Sequence, residues 1–149
     1  MKRARILLAD DHRIVAQGLR SLLEPEFELI GIVEDGRALL DAAEKLRPDV
    51  IIADISMPLL NGIEALRLLK KNNKGVRVVF LTMHPDLTYA ISALEAGALG
   101  YVLKHSAPSE LTTAVRSALK GNVYITPLLE GDVMLSPTKG SPERRQTSS

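Results

Sequence analysis

The chain has 149 residues, of which 46% are hydrophobic, with a formal net charge of +1 and no cysteine. These values indicate one domain with an apolar core and exclude disulfide bonds and thiolate metal sites, while the small charge gives no indication of nucleic-acid binding. The apolar runs are far shorter than the roughly 20 residues of a membrane span, and a secretory signal is not apparent, so a cytoplasmic location is expected.

Short apolar runs alternate with segments of helical periodicity as far as Gly121. The runs are rich in β-branched residues, as buried parallel strands are, and lie at 6–9, 28–33, 50–53, 76–81 and 100–103. Helices are predicted at 12–23, 36–46, 61–71, 86–96 and 108–119. This alternation, with right-handed crossovers, predicts an α/β fold: a flavodoxin-like, doubly wound sheet of five parallel strands in the order 2-1-3-4-5, with helices on both faces.

The alternation ends after Gly121, and this divides the chain. Residues 1–121 are expected to form the folded domain, and residues 122–149 a mostly flexible tail with one short turn or helix within 123–134. From Leu135 onward the residues are polar and rich in serine and proline, a composition typical of linkers.

Polar residues lie where four of the predicted strands end. Asp10 and Asp11 follow the first strand, Asp54 the third, Thr82 the fourth and Lys104 the fifth. In a parallel sheet with this strand order these ends are neighbours, and ligands bind beyond them. The five side chains are therefore expected to converge on one surface pocket.

The carboxylates define the chemistry expected of this pocket. Two carboxylates about 4 Å apart repel each other by about 4 kcal/mol at an effective dielectric constant near 20, so the cluster needs a cation. A partly open site of oxygen ligands suits Mg²⁺. With that ion bound, Asp54 is expected to stay ionised and to act as a nucleophile that forms an aspartyl phosphate, with Lys104 and the Thr82 hydroxyl contacting the phosphoryl oxygens.

Four short stretches carry a family resemblance: Asp10-Asp11, DISMPLLNG at 54–62, Leu81-Thr82 and AGALGYVLK at 96–104. Together they resemble the receiver domains of bacterial two-component response regulators, over roughly residues 4–121. The resemblance implies a switch that accepts a phosphoryl group from a sensor histidine kinase and controls an output, transcription in a full-length regulator. A receiver catalyses only its own phosphorylation and dephosphorylation, so the chain is not expected to be an enzyme.

The resemblance also implies roles for the acidic residues. Asp54 matches the phosphoacceptor. Asp11 matches the direct carboxylate ligand of Mg²⁺, Asp10 a ligand that acts mainly through water, and Ser56 a ligand through its backbone carbonyl. Mg²⁺ is thus the cofactor that the resemblance implies, with Asp54 as a further ligand.

The remaining roles concern the phosphoryl group and the switch. Lys104 matches the phosphoryl-binding lysine, and Thr82 and Tyr101 match the pair that rearranges on phosphorylation. Ser56 and His84 stand at positions that modulate dephosphorylation in receivers, and they are expected to tune the lifetime of the phosphoryl group.

The three histidines show no metal-ligand spacing on any one predicted element. His12 and His84 are expected on loops beside the pocket, as surface residues that tune access or have no role. His105 stands where many receivers have a proline after the lysine, which leaves the shape of that loop open.

Other functions of this fold fit the residues less well. A flavodoxin-like electron carrier would need a phosphate loop where Asp10-Asp11 stands, and those carboxylates would repel the flavin phosphate. A haloacid-dehalogenase-type phosphatase would have its nucleophile at the end of the first strand and a second aspartate two residues later, where Ser56 follows Asp54 here. The nearest alternative is a receiver-like module that docks proteins without being phosphorylated.

The tail resembles the region that joins receiver to helix-turn-helix in LuxR-type (NarL/FixJ) regulators. Residues 141–146 (SPERRQ) are similar to the start of that DNA-binding domain, and no recognition helix follows them. The chain alone is therefore expected to bind no specific DNA. Homodimerisation is a further expectation, with the face left open.

Overall fold

The computed structural model describes residues 3–57, 60–83 and 86–127. The strands are β1 (Arg5–Ala9), β2 (Glu28–Val33), β3 (Val50–Asp54), β4 (Val78–Thr82), β5 (Gly100–Leu103) and β6 (Tyr124–Ile125). The helices are α1 (Arg13–Leu23), α2 (Gly36–Leu46), α3 (Gly62–Asn72), α4 (Leu87–Glu95) and α5 (Ala107–Leu119), and a 3-10 turn spans Lys104–Ser106. The predicted elements differ from these at their ends by only one or two residues.

All strand pairs in the sheet are parallel, in the order β2-β1-β3-β4-β5-β6. The predicted fold class and the order of the first five strands are thus confirmed. The strand order reverses direction between β1 and β3, which is the topological switch point of the sheet. One edge of the sheet therefore carries the neighbouring carboxyl ends of β1, β3, β4 and β5. This is the edge where an open parallel sheet binds its ligands.

Two apolar clusters cover the two faces of the sheet. Successive strand residues point to opposite faces, so Leu7 belongs to the cluster under α2, α3 and α4, whereas Leu8 belongs to the cluster under α1 and α5. Both side chains are fully buried. Burial of both faces accounts for the nearly continuous apolar sequence of the central strands.

The sixth strand was not predicted. It pairs with β5, where the Tyr124 amide donates to the Leu99 carbonyl at 2.9 Å and the Thr126 amide to the Tyr101 carbonyl at 2.9 Å. A strand of two residues is too short to show a periodicity, and β6 lies where the sequence predicts tail with one short turn or helix within 123–134. The sheet therefore has six strands in the described part of the chain, one more than expected.

The ends of the helices follow familiar local chemistry. The side chains of Asp35, Asn61 and Asp86 accept backbone hydrogen bonds at the starts of α2, α3 and α4. Gly97, just after α4, has a φ of +104°, a conformation that glycine adopts more readily than other residues. Ser106 precedes α5, but its side chain makes no capping hydrogen bond.

Two further observations concern membrane-spanning helices and the residues outside the described ranges. No helix among the described residues combines the length and the apolar character needed to cross a membrane. The predicted tail from residue 128 onward, including the stretch 141–146, lies outside the described residues, and so does His84.

Candidate functional site

The carboxyl edge of the sheet brings the predicted pocket residues together. Asp10 directly follows β1, Asp54 and Thr82 are the last residues of β3 and β4, and Lys104 directly follows β5. All four are buried, with 1% of Asp10, 4% of Asp54 and of Thr82 and 8% of Lys104 exposed. Charged groups are rarely so deeply buried without a specific partner, which marks this edge as a candidate site.

Lys104 is the cation at the centre of the site. Its Nζ donates a hydrogen bond to Asp54 Oδ2 at 3.0 Å and lies 3.0 Å from Asp10 Oδ2. Burial alone would lower the pKa of Lys104, but its contacts with Asp54 and Asp10 outweigh that effect and raise the pKa. The ammonium therefore stays charged, and one positive charge is shared between two buried carboxylates.

Asp54 is held on both sides of its carboxylate. The Ser56 amide donates to Oδ1 at 3.1 Å, while Lys104 holds Oδ2. Burial raises the pKa of Asp54, and the hydrogen bonds from Lys104 and Ser56 only partly oppose this shift. Close packing fixes the backbone, because a Cβ at Gly62 would lie 2.7 Å from Phe80 Cε1 and 3.0 Å from the Asp54 carbonyl oxygen.

His12 contacts the acidic cluster, a position that the sequence pattern does not predict. Its Nδ1 is 3.2 Å from Asp10 Oδ1, 3.2 Å from Asp11 Oδ1 and 3.8 Å from Asp54 Oδ2. It was expected beside the pocket as a surface residue, and its side chain is indeed 58% exposed. The signal that could have found it is its position directly after two clustered aspartates at the start of α1.

The acidic cluster can hold a metal ion. One ligand atom from each of Asp10, Asp11, His12 and Asp54 lies within 4.8 Å of the other three. Asp10 Oδ2 is a buried atom 3.0 Å from Lys104 Nζ, and Asp11 Oδ1 is a buried atom 3.2 Å from His12 Nδ1. Three carboxylates share the single Lys104 ammonium, and a divalent cation would balance the remaining negative charge with the oxygen ligands it prefers. The residues therefore fit a bound cation.

Thr82 and Tyr101 are adjacent and linked. The Tyr101 side chain is fully buried, its hydroxyl lies 3.4 Å from the Asp86 carbonyl oxygen as a donor, and it also hydrogen bonds with Thr82. Burial raises the pKa of Tyr101 to about 12, so the phenol is neutral at physiological pH. The structure thus places the threonine between the buried carboxylates and the tyrosine.

The remaining predicted residues lie on the loops around the site. Ser56 is exposed, two residues beyond Asp54, and His84 lies outside the described residues. His105 is exposed in the 3-10 turn that begins at Lys104, and no peptide bond in the described ranges is cis. The turn links β5 directly to α5 and holds the buried lysine in place.

Comparisons with known proteins agree with this geometry. The family model described as "Response regulator receiver domain" matches residues 6–116. The transcriptional regulatory protein DegU of Brevibacillus brevis is 40% identical over 125 residues, which cover 83% of this chain and 53% of DegU. LiaR of Bacillus subtilis is 37% identical over 132 residues, 87% of this chain and 63% of LiaR. The chain spans about half to two thirds of the length of these curated relatives.

A solved structure shows the same fold. The crystal structure of a LuxR-family two-component response regulator from Aurantimonas sp. SI85-9A1 is 33% identical, with a TM-score of 0.86, and the match covers 93% of this chain and all of that one. The strand order, the buried charges at the carboxyl edge and the match over residues 6–116 lead to one conclusion. The chain belongs to the response regulator receiver domain family, and its relatives are regulators of the LuxR type.

Proposed function

We propose that Asp54 accepts a phosphoryl group from a phosphorylated histidine of a sensor kinase, and that this modification switches the domain. Receiver domains are signalling switches rather than enzymes in the usual sense, and the chain belongs to that family. The observation that carries the proposal is the buried Asp54 carboxylate, anchored by the Ser56 amide and Lys104. Transfer forms a P–O bond to Asp54 as the P–N bond to the kinase histidine breaks.

In this proposal the pocket binds Mg²⁺. Asp10, Asp11 and Asp54 would supply carboxylate oxygens and Ser56 its backbone carbonyl, and the excess of carboxylates over the single Lys104 ammonium supports the fit. The ion would offset the repulsion within the cluster and the negative charge of the phosphoryl group. Lys104 would contact a phosphoryl oxygen with the ammonium that now contacts Asp54.

Thr82 and Tyr101 would convert the new charge into a change of shape. The Thr82 hydroxyl now bonds with Tyr101, and a phosphoryl group on Asp54 would offer it a stronger, charged acceptor. Tyr101 would then retain the Asp86 carbonyl as its partner. A contact that exists in only one state shifts the equilibrium between two conformations. Ser56 and His84 complete the proposal as residues that tune the lifetime of the phosphoryl group.

The output is proposed from the relatives. DegU and LiaR are named transcriptional regulatory proteins, and an RcsB structure with a TM-score of 0.81 is described as two RcsB dimers bound to two parallel DNAs. We propose that the full-length regulator controls transcription in the cytoplasm, that the receiver unit of residues 1–121 is followed by a connecting tail in 122–149 whose first residues add β6 to the sheet, and that dimerisation contributes. A sensor histidine kinase is the proposed upstream partner.

Intact mass spectrometry tests the phosphoacceptor. The chain is incubated with Mg²⁺ and acetyl phosphate, beside Asp54→Ala and the exposed control Asp41→Ala. We expect one added phosphoryl group on the wild type and on the control, and none on Asp54→Ala or in EDTA.

Two other outcomes would be informative. Labelling of Asp54→Ala would identify another nucleophile. If no variant is labelled although Mg²⁺ binds, hydrolysis of the adduct is measured directly from acetate and phosphate release; its absence would favour the alternative function, a docking module that is not phosphorylated.

A further inference from the structure

Strand β6 attaches the chain that follows α5 to the folded sheet. The chain turns back after the helix, where the Asn122 amide donates to the Ser117 carbonyl at 2.9 Å. Two backbone hydrogen bonds then join β6 to β5, and one of them runs from the Thr126 amide to the Tyr101 carbonyl at 2.9 Å. Because the predicted tail comprises residues 122–149, β6 is the place where this tail is fixed to the domain.

Glu110 of α5 holds the side chains of β6. The Tyr124 hydroxyl donates to Glu110 Oε1 at 3.2 Å, and the Thr126 hydroxyl donates to the same oxygen. Thr126 is fully buried, so its hydroxyl needs a partner inside the protein. The β6 attachment, which is this strand with its hydrogen bonds to β5 and Glu110, depends on contacts of small net free energy. Such a segment can open locally while the rest of the sheet stays folded.

Tyr101 contacts the β6 attachment with its backbone and lies beside it with its side chain. Its carbonyl accepts the Thr126 amide, and in the parallel register Tyr101 is paired with Ile125. Both side chains belong to the face of the sheet under α2, α3 and α4, where Ile125 packs against the apolar cluster that contains the tyrosine ring. A displacement of this ring therefore changes the packing of β6 without passing through another element.

The far end of the same ring is held by the contacts of the switch. The Tyr101 hydroxyl hydrogen bonds with Thr82 and donates to the Asp86 carbonyl at 3.4 Å. In the proposed function, a phosphoryl group on Asp54 draws the Thr82 hydroxyl away, so Tyr101 loses one of these two partners. The remaining contact is long for a hydrogen bond and holds the ring less firmly.

We propose that phosphorylation of Asp54 releases the β6 attachment, so that the state of the pocket controls how firmly the tail is held to the domain. The inference rests on the proposed function, because it uses the rearrangement of Thr82 and Tyr101. Once freed from Thr82, the ring would repack against Ile125, and β6 would open more often. The curated relatives extend well beyond the matched region, so in a full-length regulator the released segment would connect the switch to the output.

Hydrogen exchange of Tyr101→Phe tests the coupling without any phosphoryl group. The variant keeps the ring and removes the hydroxyl, and the control Tyr89→Phe removes the hydroxyl of an exposed tyrosine. By NMR, we expect the Thr126 amide of Tyr101→Phe to exchange at least about tenfold faster than in the wild type, with little change at the buried Phe80 of β4. Unchanged exchange at Thr126, or an equal increase at Phe80, would overturn the proposal.

A phosphoryl mimic tests the release at the pocket itself. Beryllofluoride binds a carboxylate as a tetrahedral anion, and ¹⁹F NMR reports its binding in the presence of Mg²⁺. With the mimic bound, we expect the Thr126 amide of the wild type to exchange at least about threefold faster, and that of Asp54→Ala to be unaffected. Unchanged or slower exchange in the saturated wild type would contradict the release.

Reciprocal linkage adds a readout that a merely structural strand would not move. If binding at Asp54 weakens β6, then weakening β6 must strengthen binding at Asp54. Thr126→Val removes a contact with Glu110, and we expect it to lower the beryllofluoride concentration at half-saturation about twofold to threefold. The exposed control Thr113→Val should leave this concentration unchanged. Unchanged affinity in Thr126→Val, although its β6 opens faster, would refute the coupling.

The experiments separate this inference from the proposed function. If Asp54 takes up the mimic but exchange at Thr126 does not respond, the release of β6 fails alone. If Tyr101→Phe releases β6 but neither acetyl phosphate nor beryllofluoride modifies Asp54, the coupling between Tyr101 and β6 stands and the phosphoacceptor role fails.

Discussion

Two sets of charged residues in this domain show how burial changes what an ion pair does. At the carboxyl edge, Lys104 meets Asp10 and Asp54, and no side chain of the three is more than 5% exposed. On the surface, Arg116 of α5 pairs with Glu26, and their side chains are 55% and 36% exposed. The buried set has two carboxylates for one cation, whereas the exposed pair is balanced.

The buried cluster and the exposed pair differ in what they contribute to stability. Buried charges lose hydration, and their mutual attraction seldom repays that loss in full, so such a cluster is weak evidence for stability. An exposed pair loses little hydration and gains little in return. The buried cluster is therefore consistent with the proposed cation and phosphoryl site, and the exposed pair is an ordinary surface contact.

Removing the buried cation should have the largest effect on folding. Lys104→Met keeps most of the side-chain volume but leaves Asp10 and Asp54 without a cation, and we expect a loss of about 3–5 kcal/mol in the free energy of unfolding without Mg²⁺. Urea denaturation in EDTA measures it, with exposed Lys45→Met as the control. Added Mg²⁺ should recover part of the loss. A loss no larger than that of the control would mean that the two carboxylates do not depend on the lysine.

Removing one buried carboxylate charge should have the opposite sign. Asp54→Asn relieves the excess negative charge beside Asp10 and keeps the side-chain shape. Because burial disfavours the charged form of Asp54, we expect a gain of about 1 kcal/mol in the free energy of unfolding in EDTA, together with loss of phosphorylation. Asp41→Asn, at an exposed position of α2, should change the stability little. A clear loss of stability in Asp54→Asn would contradict this explanation of the cluster.

A partly buried carboxylate, Glu110, should have an effect on stability between those of the buried cluster and the exposed pair. Glu110 of α5 accepts hydrogen bonds from the Tyr124 hydroxyl and from the fully buried Thr126. Thr126→Val removes one donor at nearly constant volume, and we expect a loss of about 1 kcal/mol. Thr113→Val, on the exposed side of the same helix, is the matched control, and equal effects of the two variants would rule out a contribution from the Glu110 contact.

The exposed pair should show the smallest effect, visible in a pKa rather than in stability. The Arg116 hydrogen bond holds the pKa of Glu26 below its ordinary value of 4.5. The contribution of the pair is therefore present above that value and lost as the pH falls through the lowered pKa. In Arg116→Ala, an NMR titration should show the Glu26 pKa returning upward, while the melting temperature at neutral pH barely changes. An unshifted Glu26 pKa would mean that the pair does not persist in solution.

Much of the fold and part of the site could be predicted from the sequence. The β-branched runs and helical periods gave the strand order, because a parallel sheet with right-handed crossovers leaves few topologies. The same rule brought Asp10, Asp54 and Lys104 to one edge without any knowledge of their side-chain contacts.

The features that could not be predicted depend on three-dimensional geometry, which a sequence pattern does not contain. The position of the His12 ring depends on a side-chain rotation at the first turn of α1, and the sharing of Lys104 between two carboxylates depends on the 3-10 turn after β5. β6 depends on the return of the chain beside β5 after a full helix. Each of these is a tertiary outcome with no periodic signal.

The short strand β6 has a consequence for the solubility of the domain. Without it, β5 would be an apolar strand at the margin of the sheet with unpaired backbone groups, a surface on which another chain can add a strand. The hydrogen bonds of Tyr124 and Thr126 to the carbonyls of Leu99 and Tyr101 occupy that margin. A shortened protein that stops at Gly121 would thus retain every predicted site residue and still expose the apolar edge of β5, whereas one that extends past Thr126 would keep that edge covered by β6.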